Sequence, residues 1–203
     1  MARTYRSPLR DKRTAETRAA LLAAATRMFV EKGWAATGMR DVATEADVST
    51  ETVYAHFTSK RGLLRAVIDI AVVGDEREVA LAERPEFAAQ GHGRRADRVR
   101  ASARLLAGIQ QRTARLAKVL REAAAADDEL AVSLREMRDR QRLDIGRAVE
   151  LLLDRLPTAV ERDGVWAIAS PEVYLLLVEE SGWTPERYEA WITETLDRVV
   201  PRS

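Results

Sequence analysis

The sequence contains no cysteine. Disulfides and thiolate metal sites are thereby excluded, and a cytoplasmic setting is expected. Histidine is nearly absent too: the chain has two, His56 and His92. No Ser/His/Asp set, phosphate-binding loop or metal-ligand spacing occurs, so no enzyme chemistry is signalled and no cofactor is expected. A carboxylate-only hydrolase is the one enzyme class that this argument leaves open. Aromatic residues make up 5% of the chain, while Ala, Arg, Glu and Leu recur throughout. That bias favours helices, because β-branched and aromatic residues are the strand formers. No apolar run approaches the roughly 20 residues that a membrane span needs. Residues 1–13 lack the apolar stretch of a secretory signal, so no membrane partner is expected.

What the chain does have is charge, at 32% of residues, and the charge is unevenly placed. Residues 1–65 carry 12 Lys/Arg against 7 Asp/Glu, and the remainder carries 21 against 25. A basic head on an acidic body fits a nucleic-acid reader with a separate regulatory body. Chance segregation on a charge-rich surface gives the same counts.

Residues 1–13 hold Arg3, Arg6, Arg10, Lys12 and Arg13, lack apolar periodicity and are interrupted by Pro8. They read as a flexible basic arm, suited either to a neighbouring minor groove or to solvent. Leu21, Leu22, Ala25, Met28 and Phe29 repeat at helical spacing and predict a first helix over 15–32, with Thr14 as its N-cap. Gly33 supplies a left-handed stop, with Trp34 folding back on Phe29. Thr37 caps a short second helix whose buried face is Met39, Val42, Ala43 and Ala46. Asp47-Val48-Ser49 is a tight turn. Ser49 caps a third helix over 50–56, with Val48 and Val53 spaced as a hydrophobic staple. Ser59 opens a fourth helix with Leu63, Leu64, Val67, Ile68 and Ala71 inside.

Beyond it, 83–93 is a Gly- and Pro-containing loop. Helices follow at 94–110, 112–126 and 128–156. Thr158-x-x-Glu161 is a capping box for a helix at 159–169. Ser170-Pro171 and Thr184-Pro185 are N-caps followed by Pro at the first helical position, opening helices at 171–181 and 185–199. No strand alternation and no internal repeat is present. The domain organisation read from this pattern is the arm at 1–13, a helix-turn-helix domain at 14–60 and a helical body at 61–203.

Two short helices joined by a three-residue turn and braced by a longer one form a helix-turn-helix, whose second helix enters the major groove. In the third helix Val53 and Phe57 are the buried pair. Thr50, Glu51, Thr52, Tyr54 and His56 are left to face outward. An ordinary three-helix corner with a solvated polar helix has the same spacing.

The residue pattern here is specific. It runs Ala24-Ala25-x-x-Met28-Phe29-x-Glu31-Lys32-Gly33-Trp34-x-Ala36-Thr37, then Met39-Arg40-Asp41-Val42-Ala43. It continues Val48-Ser49-x-x-Thr52-Val53-Tyr54-x-His56-Phe57-x-Ser59-Lys60-x-x-Leu63-Leu64. Residues 17–68 resemble the DNA-binding domain of the tetracycline-repressor (TetR) family. Ser170-Pro171-Glu172-Val173-Tyr174 and Gly182-Trp183-Thr184-Pro185-Glu186-Arg187-Tyr188 are similar, more weakly, to members with actinobacterial-type sequences.

The resemblance implies a homodimeric regulator, usually a repressor, whose hold on double-stranded DNA drops when a small-molecule effector enters the C-terminal domain. It implies an all-α fold: a three-helix DNA-binding domain followed by a helical bundle for ligand binding and dimerisation. By position, Thr50, Thr52 and His56 fall where members read bases or nearby backbone. Tyr54 and Lys60 fall on phosphate-contacting positions, and Arg40 where some members touch base or backbone. With the capping residues Thr37 and Ser49, these make up the expected DNA-facing set. Two positions depart from the pattern. Asp47 replaces the usual turn glycine, which predicts a slightly strained turn. Glu51 stands where a small residue is common, and reads either as an acceptor for cytosine N4 or as a first-turn acid favouring the helix dipole.

Five of the eleven aromatic residues, Trp166, Tyr174, Trp183, Tyr188 and Trp191, lie beyond position 165. Tyr188, Trp191, Ile192, Thr195, Leu196 and Val199 share a helical face that suits monomer core or a dimer interface, where Trp and Tyr are enriched. The resemblance favours the interface, to which Tyr174 is added. It also places a ligand pocket among the helices at 94–156, with Leu105, Ile109, Leu120, Leu134 and Met137 as lining candidates or plain core. The competing readings are a DNA-binding regulator without a ligand and a helical adaptor that binds protein. The basic N-terminal third argues against the adaptor.

Overall fold

The computed structural model describes residues 8–77 and 79–200. Among these there is no strand. The chain divides into two compact units, Met1–Asp69 and Ile70–Ser203.

The first unit begins with α1 (Pro8–Ala36), followed by α2 (Met39–Glu45), α3 (Thr50–His56) and α4 (Lys60–Val73). The division of the chain falls within α4, and the buried Leu63, Leu64, Val67 and Ile68 all lie on the first unit's side of it. The expected arm is corrected in part. Residues 8–13 belong to α1, so Thr14 lies inside the helix rather than at its N-cap. Residues 1–7 of the arm lie outside the described residues. The apolar stripe of α1 is buried as its spacing requires: Leu21, Ala24, Ala25 and Phe29 are fully enclosed. Leu21 and Phe29 each contribute about 1.5–3 kcal/mol by leaving water, and the two alanines less. The helix is interrupted at Gly33, whose φ of 75° and ψ of 179° lie in a region that essentially only glycine occupies. Trp34 then stacks on Phe29, ring centroids 6.0 Å apart.

In the second unit a short irregular segment contains a 3-10 turn (Leu81–Glu83), the single-turn α5 (Pro85–Ala88) and a second 3-10 turn (Ala89–Gly91). The sequence reads this stretch as plain loop. It is ordered around Arg84, a buried arginine whose guanidinium forms a two-pronged pair with Asp75 at 2.8 and 2.9 Å and also donates to the Val79 carbonyl. The main helices are α6 (Arg95–Ala124), α7 (Asp128–Leu153), α8 (Ala159–Ile168), α9 (Pro171–Leu175) and α10 (Pro185–Val199). A π-helical turn, Leu176–Glu180, extends α9.

The expected break near residue 111 does not occur, and α6 runs unbroken. No proline falls there, and Gly108 is accommodated within the helix. Thr113 returns its hydroxyl to the Ile109 carbonyl, and Gln110 sends its amide across to the Ala169 carbonyl. Helices α7, α9 and α10 all pack on α6. The predicted caps at Thr158, Ser170 and Thr184 form, each side chain accepting from the backbone N–H three residues on.

The C-terminal face is corrected. Tyr188 and Ile192 are fully enclosed and Tyr174 is buried, in one core with Val99, Ala103 and Ala107 of α6. Tyr174 and Tyr188 meet edge to face at 4.8 Å. The positions 188, 192, 196 and 200 form the stripe that packs inward, so these three residues belong to the core of a single chain rather than to a subunit interface. Trp191 and Thr195 lie beside that stripe and are half-buried.

Candidate nucleic-acid interface

Helix α3 is positioned by its ends. Ser49 has extended backbone and its Oγ accepts from the Thr52 N–H at 3.2 Å, which satisfies one of the free donors of the first turn. Val53 is fully enclosed, and Phe57, just past the helix, is buried beneath the Arg18 guanidinium at 5.5 Å. These anchors leave the opposite side of α3 in solvent. Thr50, Thr52 and His56 are half-exposed, Glu51 and Ala55 exposed, and Tyr54 is 51% exposed. An exposed tyrosine on a seven-residue helix has no packing reason to be there. Its hydroxyl and aromatic face lie open to solvent.

The turn before α3 carries the expected strain. Asp47 has φ of 54°, the left-handed region that favours glycine. Glu51 has its carboxyl held below the usual range, first by its own backbone N–H and then by the Ser49 hydroxyl. It behaves as a first-turn acid at the positive end of the helix.

The remaining expected contacts fall into two groups. Arg40 projects from α2 and is exposed. Thr37, in contrast, is 1% exposed. Its hydroxyl lies 2.8 Å from the Gly33 carbonyl and 3.1 Å from that of Met28, locking the end of α1. The residue that caps α2 is Gly38, whose N–H donates to the Asp41 carboxylate at 2.9 Å. Thr37 is therefore corrected from N-cap and DNA-facing residue to an internal tie, because its one donor is spent inside the unit. Lys60 opens α4, and its ammonium is folded over Trp34, 4.2 Å from the ring centroid, donating to the Trp34 carbonyl. Burial lowers its pKa, and the charge of Asp41 partly opposes this. Trp34 as a seat for Lys60, and Arg18 as a cover for Phe57, have no local sequence signal; each joins residues far apart in the chain.

Of the pocket candidates, Leu134 and Met137 line a cavity in the second unit, whereas Leu120 is buried core and Leu105 and Ile109 lie outside that lining. Among the described residues no group of His, Asp and Glu could hold a metal ion, and no helix is long and apolar enough to cross a membrane.

The two short helices, their tight turn and the bracing α1 define the first unit as a helix-turn-helix DNA-binding domain. Residues 21–67 match the model of the bacterial regulatory proteins of the tetR family. The N-terminal unit is similar to the members of that family over those residues. Over 54 residues the chain is 46% identical to an HTH-type transcriptional repressor of Mycobacterium tuberculosis, a stretch covering 27% of this chain and 29% of the relative. Over 53 residues it is 45% identical to the HTH-type transcriptional activator FasR of Mycolicibacterium smegmatis, covering 26% of this chain and 24% of the relative. The matched segment thus spans less than a third of either relative. The fold of the chain is similar to that of the crystal structure of a TetR-family transcriptional regulator from a Rhodococcus species. There the TM-score is 0.68 at 19% identity, covering 92% of this chain and 100% of the other.

Proposed function

We propose that the protein is a transcriptional regulator that binds an inverted-repeat operator as a homodimer and is released by a small molecule held in its second unit. The observation that carries the DNA reading is the outward face of α3. Its anchors Val53 and Phe57 are buried, while Thr52, Tyr54 and their neighbours stand in solvent on a helix of groove-entering length. Arg40 and Lys60 supply cationic groups from the flanking helices for phosphate or guanine. A regulator of this kind works where the DNA is, in the bacterial cytoplasm. Repression is the reading favoured by the relative from M. tuberculosis, although the same matched segment occurs in an activator.

The size of the reader supports the dimeric reading. One seven-residue helix touches too few bases for operator-level affinity, and two copies related by a two-fold axis double the contacts on an inverted repeat. Trp191 and Thr195, half-buried beside the inward stripe of α10, are the proposed interface contributors. The effector reading is supported by the cavity beside Leu134 and Met137 and by a second unit far larger than a dimerisation device requires. The test is selection of bound DNA from a random pool with the full chain. Half-sites in inverted orientation, centred about 34 Å or a multiple apart, are expected. Selected sequences without two-fold symmetry would refute the dimeric reading.

A further inference from the structure

The cavity in the second unit has about 230 Å³ and lies between α6, α7 and the junction of α8 with α9. Its lining is mixed in chemistry. Ala117, Leu134, Met137 and Trp166 supply apolar surface to the lining. Trp166 is held in place there: its Nε1 donates to the Gln141 side-chain oxygen at 3.4 Å, and the Arg142 guanidinium lies 5.9 Å from its ring centroid. Arg121 and Arg138 add cationic groups to the same lining. Arg121 donates to a carboxylate oxygen of Glu172, and the guanidinium of Arg138 lies 3.5 Å from the same oxygen. Two arginines therefore share one acid, and one positive charge at this rim has no counter-charge within the cluster.

The arginine side chains are 37% and 45% exposed, so a molecule in the cavity can reach both without stripping a buried ion. Glu172 sits in the first turn of α9 with its side chain 46% exposed, and a rotation about its own bonds takes it into solvent. Its carboxylate marks a place where a carboxylate is stable between two guanidiniums, whose forked donors match that shape.

We infer that the effector is a compact organic acid: an aromatic ring or short apolar chain bearing one carboxylate. This rests on the proposed ligand-responsive reading and names the chemistry of its ligand. The carboxylate takes the position of the Glu172 side chain between Arg121 and Arg138, and the apolar body lies on Leu134, Met137 and Trp166. The site is half open, and its volume, below the roughly 300–1,000 Å³ of drug-sized sites, suits a body of about one ring or a short chain. A neutral molecule of the same shape gains the apolar contact and leaves the surplus charge unanswered. The acid gains both.

Calorimetry on the full chain tests this with phenylacetate and hexanoate against phenylacetamide and hexanamide. Each acid is expected to bind at least tenfold more tightly than its amide. Glu172→Gln removes the competing carboxylate and is expected to tighten both acids about threefold or more. The double variant Arg121→Gln, Arg138→Gln is expected to lose the preference for acid over amide while keeping the circular dichroism and melting temperature of the parent. Equal binding of acid and amide, a preference that survives in the double variant, weaker acid binding by Glu172→Gln, or no saturable binding of either acid by that variant at millimolar concentration each overturns the inference. Fluorescence anisotropy of labelled operator DNA separates it from the regulatory reading. An acid that binds through the arginines without releasing DNA upholds the site and removes its role as inducer. A neutral compound that releases DNA equally from parent and double variant upholds the inducible regulator and overturns the acid site.

Discussion

The Lys60 ammonium lies over the Trp34 ring, 4.2 Å from its centroid, and donates to the Trp34 carbonyl, joining the start of α4 to the end of α1. A partly desolvated cation–π contact of this kind is worth about 1 kcal/mol. Lys60→Ala and Trp34→Leu should each lower the unfolding free energy by at least that amount. Because both remove the same contact, the double variant should lose less than the sum by about 0.5–1 kcal/mol. Denaturant titration of the four proteins checks this, and strict additivity would show that the contact contributes nothing.

At Asp47 the backbone has φ of 54°. An L-residue pays about 1–2 kcal/mol in this region, Asp somewhat less than most, whereas glycine pays in lost chain entropy instead. Asp47→Gly should therefore stabilise the first unit by about 0.5 kcal/mol, read as a higher denaturation midpoint at unchanged slope. A lower midpoint would mean that the aspartate side chain contributes more than its backbone costs.

Thr37→Val keeps the shape of a buried side chain and removes its hydroxyl, which serves the Gly33 and Met28 carbonyls. Losing a buried hydrogen bond with an acceptor left unsatisfied costs about 1–3 kcal/mol. The variant should be less stable by that amount yet select the same DNA sequences as the parent. A changed base preference at unchanged stability would restore Thr37 to the DNA-facing set.

Acid sensitivity should concentrate at the α7–α8 junction. Glu161 accepts from both Arg155 Nη atoms and from the Thr158 N–H, and the Arg155 pairing first, then the Thr158 backbone, holds its pKa down to about 2 from an ordinary 4.5. Between those values the unfolded chain binds a proton that the folded one does not, so its contribution is complete above pH 4.5 and fades as pH falls toward 2. Glu161→Gln should be less stable than the parent at pH 7 and should lose less on acidification. Parallel pH curves for the two proteins would remove Glu161 as a source of the acid sensitivity.

What was legible in the sequence follows the range of each interaction. The caps at Ser49, Thr158, Ser170 and Thr184 close rings of three residues, and all four stand where their spacing put them. The strained turn at Asp47 was legible for the same reason. Continuity of α6 through residue 111 was not, because Gln110 finds its partner 59 positions away at Ala169. Nor was the fate of Tyr188 and Ile192: a helical stripe states that a face is buried but not by which neighbour, and here α6 of the same chain covers it. Arg84 is illegible for another reason: its partner Asp75 is only nine residues earlier, but the segment between them is irregular and has no periodicity to read.

The contacts proposed for DNA separate into those that hold and those that read. Lys60 has a compact charge on a long stem, suited to leave the Trp34 carbonyl for a phosphate. Losing it should weaken binding on every sequence and reduce the magnitude of the log-log salt slope by about 0.9. Thr52 is half-exposed on α3 with its hydroxyl 3.1 Å from that of Ser49. Its N–H keeps the Ser49 cap when the side chain is cut to alanine, so Thr52→Ala leaves the helix start intact. If the hydroxyl or methyl reaches a base edge, that variant should change preference at one or two base pairs, worth about 1–3 kcal/mol of discrimination, with the salt slope unchanged. Binding of both variants to operator and to scrambled DNA at several salt concentrations distinguishes the roles, with the Lys60 variant assayed well below its melting temperature. Identical profiles for the two would refute the division, and a Thr52 variant that loses affinity uniformly would place that side chain on the phosphate backbone instead.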